Sequence, residues 1–187
     1  MADQLYLSYI LRGYTENNML RHYEKMLRTF PYSRLSKGAS VLRIHAVAET
    51  EPALLERAFE DPLDLDAVLA AAREAQSGDS AVMLESRWDL WQYDPDWKLT
   101  PARVMLSCFG PQFESASNQH LQIDFGIDTH FLPQPDLPKS MFMAQSNIRS
   151  LLHLVEELDR VLAVEKRRLW SDSGENFAER LKATLAG

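Results

Sequence analysis

The chain has 187 residues, of which 45% are hydrophobic and 25% are charged, and its formal net charge is −7. This composition is too apolar for a disordered chain. The acidic balance argues against nucleic-acid binding, because the phosphate backbone attracts basic surfaces. The single cysteine, Cys108, excludes an intrachain disulfide bond.

Hydrophobic patterns divide the first part of the chain into strands and helices. In residues 5–12 and 41–48 the more apolar side chains fall at every second position, which predicts two strands. Between them, apolar residues at helical spacing predict a helix that ends at Pro31. Pro52 is tolerated in the first turn of a helix, and we expect two short helices within 52–75.

The middle of the chain is predicted to form a β-hairpin and one more strand. Residues 81–93 and 103–109 form the arms, because 94–97 has the aspartate and proline that a β-turn favours. The last strand is 120–128. The strand–helix–strand order at the start of the chain favours a parallel pair. We therefore expect an α+β fold with a mixed, largely antiparallel sheet of about five strands layered with helices.

The C-terminal part is predicted to be helical. A proline-rich connector at 131–139 leads into a long helix over 141–170, and a shorter helix follows. We expect a single domain over 1–187, with the sheet in 1–130 and the C-terminal helices in 140–187. A helix of about thirty residues is roughly 45 Å long, which is longer than this sheet needs. Its length predicts either a homodimer through the helix or a kinked helix within one subunit.

The strand pattern places polar side chains on one face of the sheet. In the last strand, Ile123 and Phe125 share one parity, whereas His120 and Asp124 share the other. The candidate ligand-binding residues of this face are Arg43, His45, Glu85, Arg87, Asp89, His120, Gln122 and Asp124. The alternative interpretation is a solvated surface on which opposite charges on neighbouring strands stabilise the sheet.

The sequence contains no motif for catalysis, metal binding or cofactor binding. His120 and Asp124 are about 13 Å apart in a straight strand, whereas zinc ligands lie about 2 Å from the metal. Cys108 lies in an apolar strand, where a small buried side chain is expected rather than a nucleophile. We therefore predict no metal site and no cofactor, and we favour a protein that is not an enzyme.

Aromatic residues are concentrated around the predicted hairpin turn, where Trp91, Tyr93 and Trp97 are candidates for binding a partner. Aromatic pairs across a hairpin also stabilise it without any ligand. An exposed aromatic tip and an acidic surface would suit a basic protein partner. These features favour a non-catalytic protein-binding or regulatory module. The alternative is a small-molecule-binding or enzymatic domain that uses the polar sheet face.

The sequence favours a cytoplasmic protein. Residues 1–4 include no basic segment that leads into an apolar stretch, so we expect no secretory signal. No apolar run is long enough to span a bilayer. Neither a membrane nor a nucleic acid is therefore expected as a partner.

Overall fold

A computed structural model of the chain describes residues 2–114, 118–173 and 177–187. In chain order the elements are β1 (Gln4–Leu11), α1 (Met19–Thr29), β2 (Ser40–Ala46), β3 (Leu55–Phe59), α2 (Leu65–Ala75), β4 (Ser80–Tyr93), β5 (Trp97–Phe109), β6 (Leu121–Ile127), a 3-10 helix (Asp128–Phe131), α3 (Ser140–Val161), β7 (Val164–Ser171) and α4 (Phe177–Ala186). Within these residues the strands form one sheet, in the order β3-β2-β4-β5-β6-β1-β7, and every neighbouring pair is antiparallel. The α+β class is confirmed, but the sheet has seven strands rather than about five.

The helices α1 to α4 pack on one face of the sheet and enclose the main hydrophobic core. Each contributes buried side chains three or four residues apart, the spacing of one helix face. In β6, Ile123 and Phe125 are buried in this core, while Gln122 and Asp124 are half-buried on the opposite face. The alternation predicted for this strand is confirmed.

The predicted hairpin is confirmed, and its second arm is longer than expected. β4 and β5 pair as far as Tyr93 and Trp97, on either side of the predicted turn. β5 therefore begins at Trp97 rather than at Arg103. Pro101 is accommodated because β6 pairs with β5 only over Met105–Cys108, which leaves no described partner strand on that side of the proline.

Residues 55–59 form the edge strand β3, so the helix that was predicted there is wrong. β3 pairs with β2, and Arg43 of β2 forms a 3.0 Å ion pair with Glu56 of β3. Leucine, glutamate, arginine and alanine favour helices, so pairing with a sheet edge has overridden local propensity. The expected parallel pair is also wrong, because β1 lies between β6 and β7, away from β2.

The single helix predicted over 141–170 is also wrong, because this segment forms a helix and a strand. α3 ends at Val161, Leu162 has an extended backbone, and residues 164–171 pair with β1 as the edge strand β7. The charges at 165–168 suit an exposed edge strand as well as a helix surface, so the pattern did not distinguish the two. Because α3 has 22 residues and α4 has 10, the length argument for a homodimer no longer applies. The homodimer itself stays a prediction.

Candidate ligand-binding site

A cavity of about 510 Å³ lies on the face of the sheet opposite the helices. One row of paired residues crosses four strands along its floor. Met105 of β5 pairs with Asp124 of β6, Asp124 pairs with Tyr6 of β1, and Tyr6 pairs with Trp170 of β7. Paired residues on neighbouring antiparallel strands point to the same side, so the four side chains share this surface. The floor thus combines one carboxyl group with two aromatic rings and a thioether.

Two loops form the walls above this floor. Residues 48–50 and Glu114 with Gln119 contribute side chains to the cavity. The backbone N–H of Glu114 donates to the carbonyl oxygen of Val47 at 3.0 Å, which joins the two loops. Val47 has a φ of 67°, an uncommon conformation for a β-branched residue. The loop conformation is therefore held by tertiary contacts rather than by local preference.

A small apolar cluster closes one side of the cavity. Its buried members are Ala81, Met83, Phe109 and Phe113. Met83 and Phe109 also line the cavity, and the rings of Phe109 and Phe113 are 5.7 Å apart. The polar face of the sheet is therefore partly apolar, as small-molecule sites usually are.

The aromatic part of the floor is held in place by hydrogen bonds from neighbouring strands. The rings of Tyr6 and Trp170 are stacked, with centroids 4.5 Å apart. Trp170 Nε1 donates to Ser8 Oγ at 2.9 Å, and Ser8 Oγ donates to Gln122 Oε1 at 3.3 Å. Gln119 also donates to Gln122. This network fixes the orientation of the indole ring on an edge strand.

Asp124 provides the carboxyl group of the cavity floor. Its Oδ1 accepts a 2.8 Å hydrogen bond from the backbone N–H of Gly126, whose φ of 76° is in the region that favours glycine. Burial raises the pKa of Asp124, although the Gly126 N–H and the charge of Arg103 oppose that shift. Burial also raises the pKa of Tyr6 to about 12, and the carboxylates of Asp124 and Asp172 add to this effect. Tyr6 therefore carries its proton at neutral pH.

Of the eight predicted ligand-binding residues, Gln122 and Asp124 line the cavity. Arg43, His45 and Glu85 lie elsewhere on the sheet. Arg43 bridges Glu56 and Glu85, at 3.0 and 3.8 Å, whereas His45 Nδ1 contacts a backbone carbonyl oxygen at 3.0 Å. The arginine thus takes part in cross-strand ion pairs, which is the alternative interpretation of these charges.

Arg87 and Asp89 contact the loop before β2 and do not line the cavity. Asp89 accepts hydrogen bonds from Ser33 Oγ at 2.5 Å and from the backbone N–H of Arg34 at 3.0 Å. Arg87 Nη1 lies 3.4 Å from the carbonyl oxygen of Ala39. The two side chains hold this loop against the sheet.

His120 lies just before β6, at the end of β1, and does not line the cavity. Its Nδ1 accepts a 2.9 Å hydrogen bond from the backbone N–H of Leu11. Its ring stacks on Tyr14 with centroids 4.1 Å apart. Burial lowers the pKa of His120. The imidazole extends the hydrogen bonding of the strand end instead of facing the predicted ligand.

The predicted partner-binding aromatics line a second, smaller cavity of about 180 Å³ at the hairpin tip. Trp97 Nε1 donates to the carbonyl oxygen of Pro138 at 2.6 Å. The rings of Tyr93 and Trp97 meet edge to face at 5.4 Å. Trp91 is held by its backbone, which bonds to Asn147 of α3. The aromatics therefore attach the hairpin to the segment before α3, while Tyr93 stays 38% exposed.

Several cavity residues were not predicted as site residues. Tyr6 and Met105 belong to strands whose alternation was visible in the sequence, so their parity could have indicated them. Trp170 could not be found in this way, because its segment was predicted to be helical. Glu49 and Glu114 lie in loops whose positions depend on the tertiary structure.

Comparison with protein-family models, with characterised proteins and with solved structures finds no match. Among the described residues, no three His, Cys, Asp or Glu side chains are grouped so that they could hold a metal ion. No helix in those parts of the chain combines the length and the apolar character needed to cross a membrane. Function is therefore inferred from the geometry of the site.

Proposed function

We propose that this chain binds a small molecule in the cavity on the polar face of the sheet. The observation that carries the proposal is the concave space of about 510 Å³, which lies within the roughly 300–1,000 Å³ of small-molecule sites. The polar groups of Gln122 and Asp124 stand there among aromatic and methionine side chains. Such a surface can both desolvate a ligand and fix its orientation.

Preorganisation of the cavity supports binding. The stacked pair Tyr6–Trp170 and the hydrogen bonds through Ser8 and Gln122 order this part of the floor before a ligand binds. Side chains that are already ordered lose less conformational entropy on binding, which leaves more of the contact energy for affinity.

Binding is favoured over catalysis by the residue types in the cavity. Among its described lining residues there is neither a histidine nor a cysteine. Cys108 lies in the core on the helix side, where burial raises the pKa of its thiol to about 12. The described lining of the cavity therefore offers a ligand neither a histidine general base nor a cysteine nucleophile.

A cavity-filling variant tests the proposal. Ser107 is buried on the cavity floor, so Ser107→Leu should occupy part of the space. Ser150→Leu, on the exposed surface of α3, is the matched control. A ligand at a concentration of about 100 times its Kd stabilises the folded state by about 2.7 kcal/mol. This raises the Tm of a chain of this size by roughly 5–10 °C.

Thermal-shift screening of a metabolite library against the three proteins provides the measurement. We expect hits that raise the Tm of the wild type and of Ser150→Leu but not of Ser107→Leu. A hit that shifts all three proteins equally would place its site elsewhere. A broad library without any hit would contradict the proposal.

A second candidate function is protein binding through the hairpin tip, in a non-catalytic regulatory module. It is favoured by the exposure of Tyr93 and Leu99, at 38% and 43%, beside the 180 Å³ cavity. Asp94 and Asp96 give the same tip negative charge, which suits a basic partner. Affinity capture from lysate with the wild type and with Tyr93→Ala/Leu99→Ala tests this function. We expect one stoichiometric partner that the double variant no longer captures.

A further inference from the structure

We infer that the ligand of this cavity is an organic cation with a flat apolar body, of the aryl-alkylamine class. The inference rests on the proposed function and specifies the ligand of the same cavity. It follows from the charges on the cavity walls, from the state of Asp124 and from the aromatic rings beside it.

The charged residues that line the cavity are mostly acidic. Glu49 and Glu114 are exposed on its rim, and Asp124 is half-buried on its floor. Among the described lining residues the only basic side chain is Arg103, and its Nε donates to Glu85 at 2.7 Å. An anion entering the cavity would meet three carboxylates and a guanidinium that already has a carboxylate partner. A cation would be attracted by the same charges.

Asp124 lacks a cationic partner at hydrogen-bond distance among the described residues. Its Oδ1 is bonded to the Gly126 N–H, and no described residue donates to Oδ2. Burial raises the pKa of Asp124, and the charge of Arg103 offsets only part of that shift. A ligand ammonium group against Oδ2 would supply a cation in direct contact and a charge-assisted hydrogen bond.

The aromatic rings provide a surface for the apolar part of the ligand next to this carboxylate. Tyr6 pairs with Asp124 across the strands and stacks on Trp170. Besides burial, the carboxylates of Asp124, Asp172 and Glu49 raise the pKa of Tyr6, so negative charge acts on its hydroxyl group. Trp170 already has a cationic neighbour, because the Arg168 guanidinium group lies 5.3 Å from the centroid of its ring. The ammonium group of the ligand is therefore placed at Asp124, and the aromatic rings contact its flat apolar body. Met83 and Met105 can pack against the rest of a flat body.

Two matched pairs of compounds test the charge of the ligand. Tryptamine and indole-3-propionate share an indole ring but carry opposite charges, and phenethylamine and 3-phenylpropionate repeat the comparison with a smaller ring. Isothermal titration calorimetry with the full chain measures each Kd. We expect the amine to bind at least about tenfold more tightly than the acid of the same pair.

Variants locate the effect at Asp124. Asp124→Asn keeps the acceptor for the Gly126 N–H and removes the charge, so amine affinity should fall about tenfold while the affinity for the acids does not fall. Asp136→Asn changes the net charge equally at an exposed position outside the cavity, and it should leave both affinities unchanged. Glu49→Gln, at the exposed rim, provides a second variant that does not depend on a buried contact. It should weaken amine binding several-fold.

The outcomes separate this inference from the proposed function. Tighter binding of an acid than of its matched amine, or an amine preference that survives both Asp124→Asn and Glu49→Gln, would overturn the inferred charge. If neither member of either pair binds, the aryl-alkylamine class is wrong. In each case the thermal-shift experiment with Ser107→Leu tests the proposed function independently.

Discussion

Asn147 is a buried polar residue of α3 that fastens the helix to the long hairpin. Its side-chain oxygen accepts from the backbone N–H of Trp91 at 2.8 Å. Its amide nitrogen donates to the carbonyl oxygens of Trp91 and His130, at 2.9 and 2.8 Å. One amide group thus satisfies three backbone groups, including both polar groups of one strand residue. No other side-chain type of this size can donate and accept in this way.

The substitution Asn147→Ala should lower the free energy of unfolding by about 3 kcal/mol, because it leaves buried backbone groups unpaired. Urea denaturation followed by circular dichroism measures the change. The control is Ser150→Ala on the exposed side of the same helix, which should change stability by less than about 0.5 kcal/mol. A loss below about 1 kcal/mol for Asn147→Ala would mean that water replaces these bonds.

The histidines show how little residue type alone says about a site. His120 has the parity of the polar face, yet its Nδ1 accepts the Leu11 N–H and its ring stacks on Tyr14. Asp124 shares that parity and does reach the cavity. The difference is position, because Asp124 lies within the paired part of β6 whereas His120 lies just before the strand begins.

At the scale of elements, β7 joins the two faces of the molecule. Leu169 pairs with Leu7 and packs against the main core, while its neighbour Trp170 pairs with Tyr6 and forms part of the cavity floor. Adjacent residues of a strand point to opposite faces. One edge strand therefore contributes separately to stability and to the candidate site.

Substitution of these neighbours should separate the two contributions. Trp170→Ala should remove the stack with Tyr6 and weaken ligand binding at least about tenfold, with a stability loss of about 1 kcal/mol. Leu169→Ala should cost about 2 kcal/mol of stability and leave ligand affinity unchanged. Calorimetry with a ligand found in the screen, together with urea denaturation, measures both quantities. Equal effects of the two substitutions on affinity would refute the assignment of the cavity to the Trp170 face.

At the scale of the whole molecule, stability should depend on the protonation of histidine. Burial lowers the pKa of His22, His120 and His130, so the folded state favours their neutral forms. The contribution of these residues is present above the ordinary histidine pKa of 6.5, and it is lost as the pH falls below that value. Burial raises the pKa of Asp124 and Asp128 above the ordinary value of 3.8. These two carboxyl groups therefore have the opposite effect, because they make the folded state more stable as the pH falls toward 3.8.

The substitution His120→Asn isolates one contribution to this pH dependence. The asparagine Oδ1 can accept the Leu11 N–H in place of Nδ1 but does not titrate. We expect the free energy of unfolding of the wild type to fall between pH 7 and pH 5.5, and to fall less in His120→Asn. His153→Asn, which removes an exposed imidazole, is the control and should follow the wild type. Parallel curves for His120→Asn and the wild type would exclude a role for His120.

The extent to which the sequence predicted this molecule can be judged from the two edge strands. β4 and β5 were predicted because a recognisable turn separates two segments in which apolar and polar residues alternate. β3 and β7 were predicted as helix, because Leu55–Phe59 and the charged run at 165–168 have no strong strand preference of their own. They are strands because open sheet edges are available to pair with them.

The sequence by itself determined the local features of this protein: the α1 helix, the central hairpin, and the alternation that separates Ile123 and Phe125 from Gln122 and Asp124. Only the tertiary structure decided the cavity, because its floor is the row Met105–Asp124–Tyr6–Trp170. Residues far apart in the chain become neighbours in that row through backbone pairing. Such pairing depends on which strand edges are open, and a local pattern of apolar and polar residues does not encode that choice.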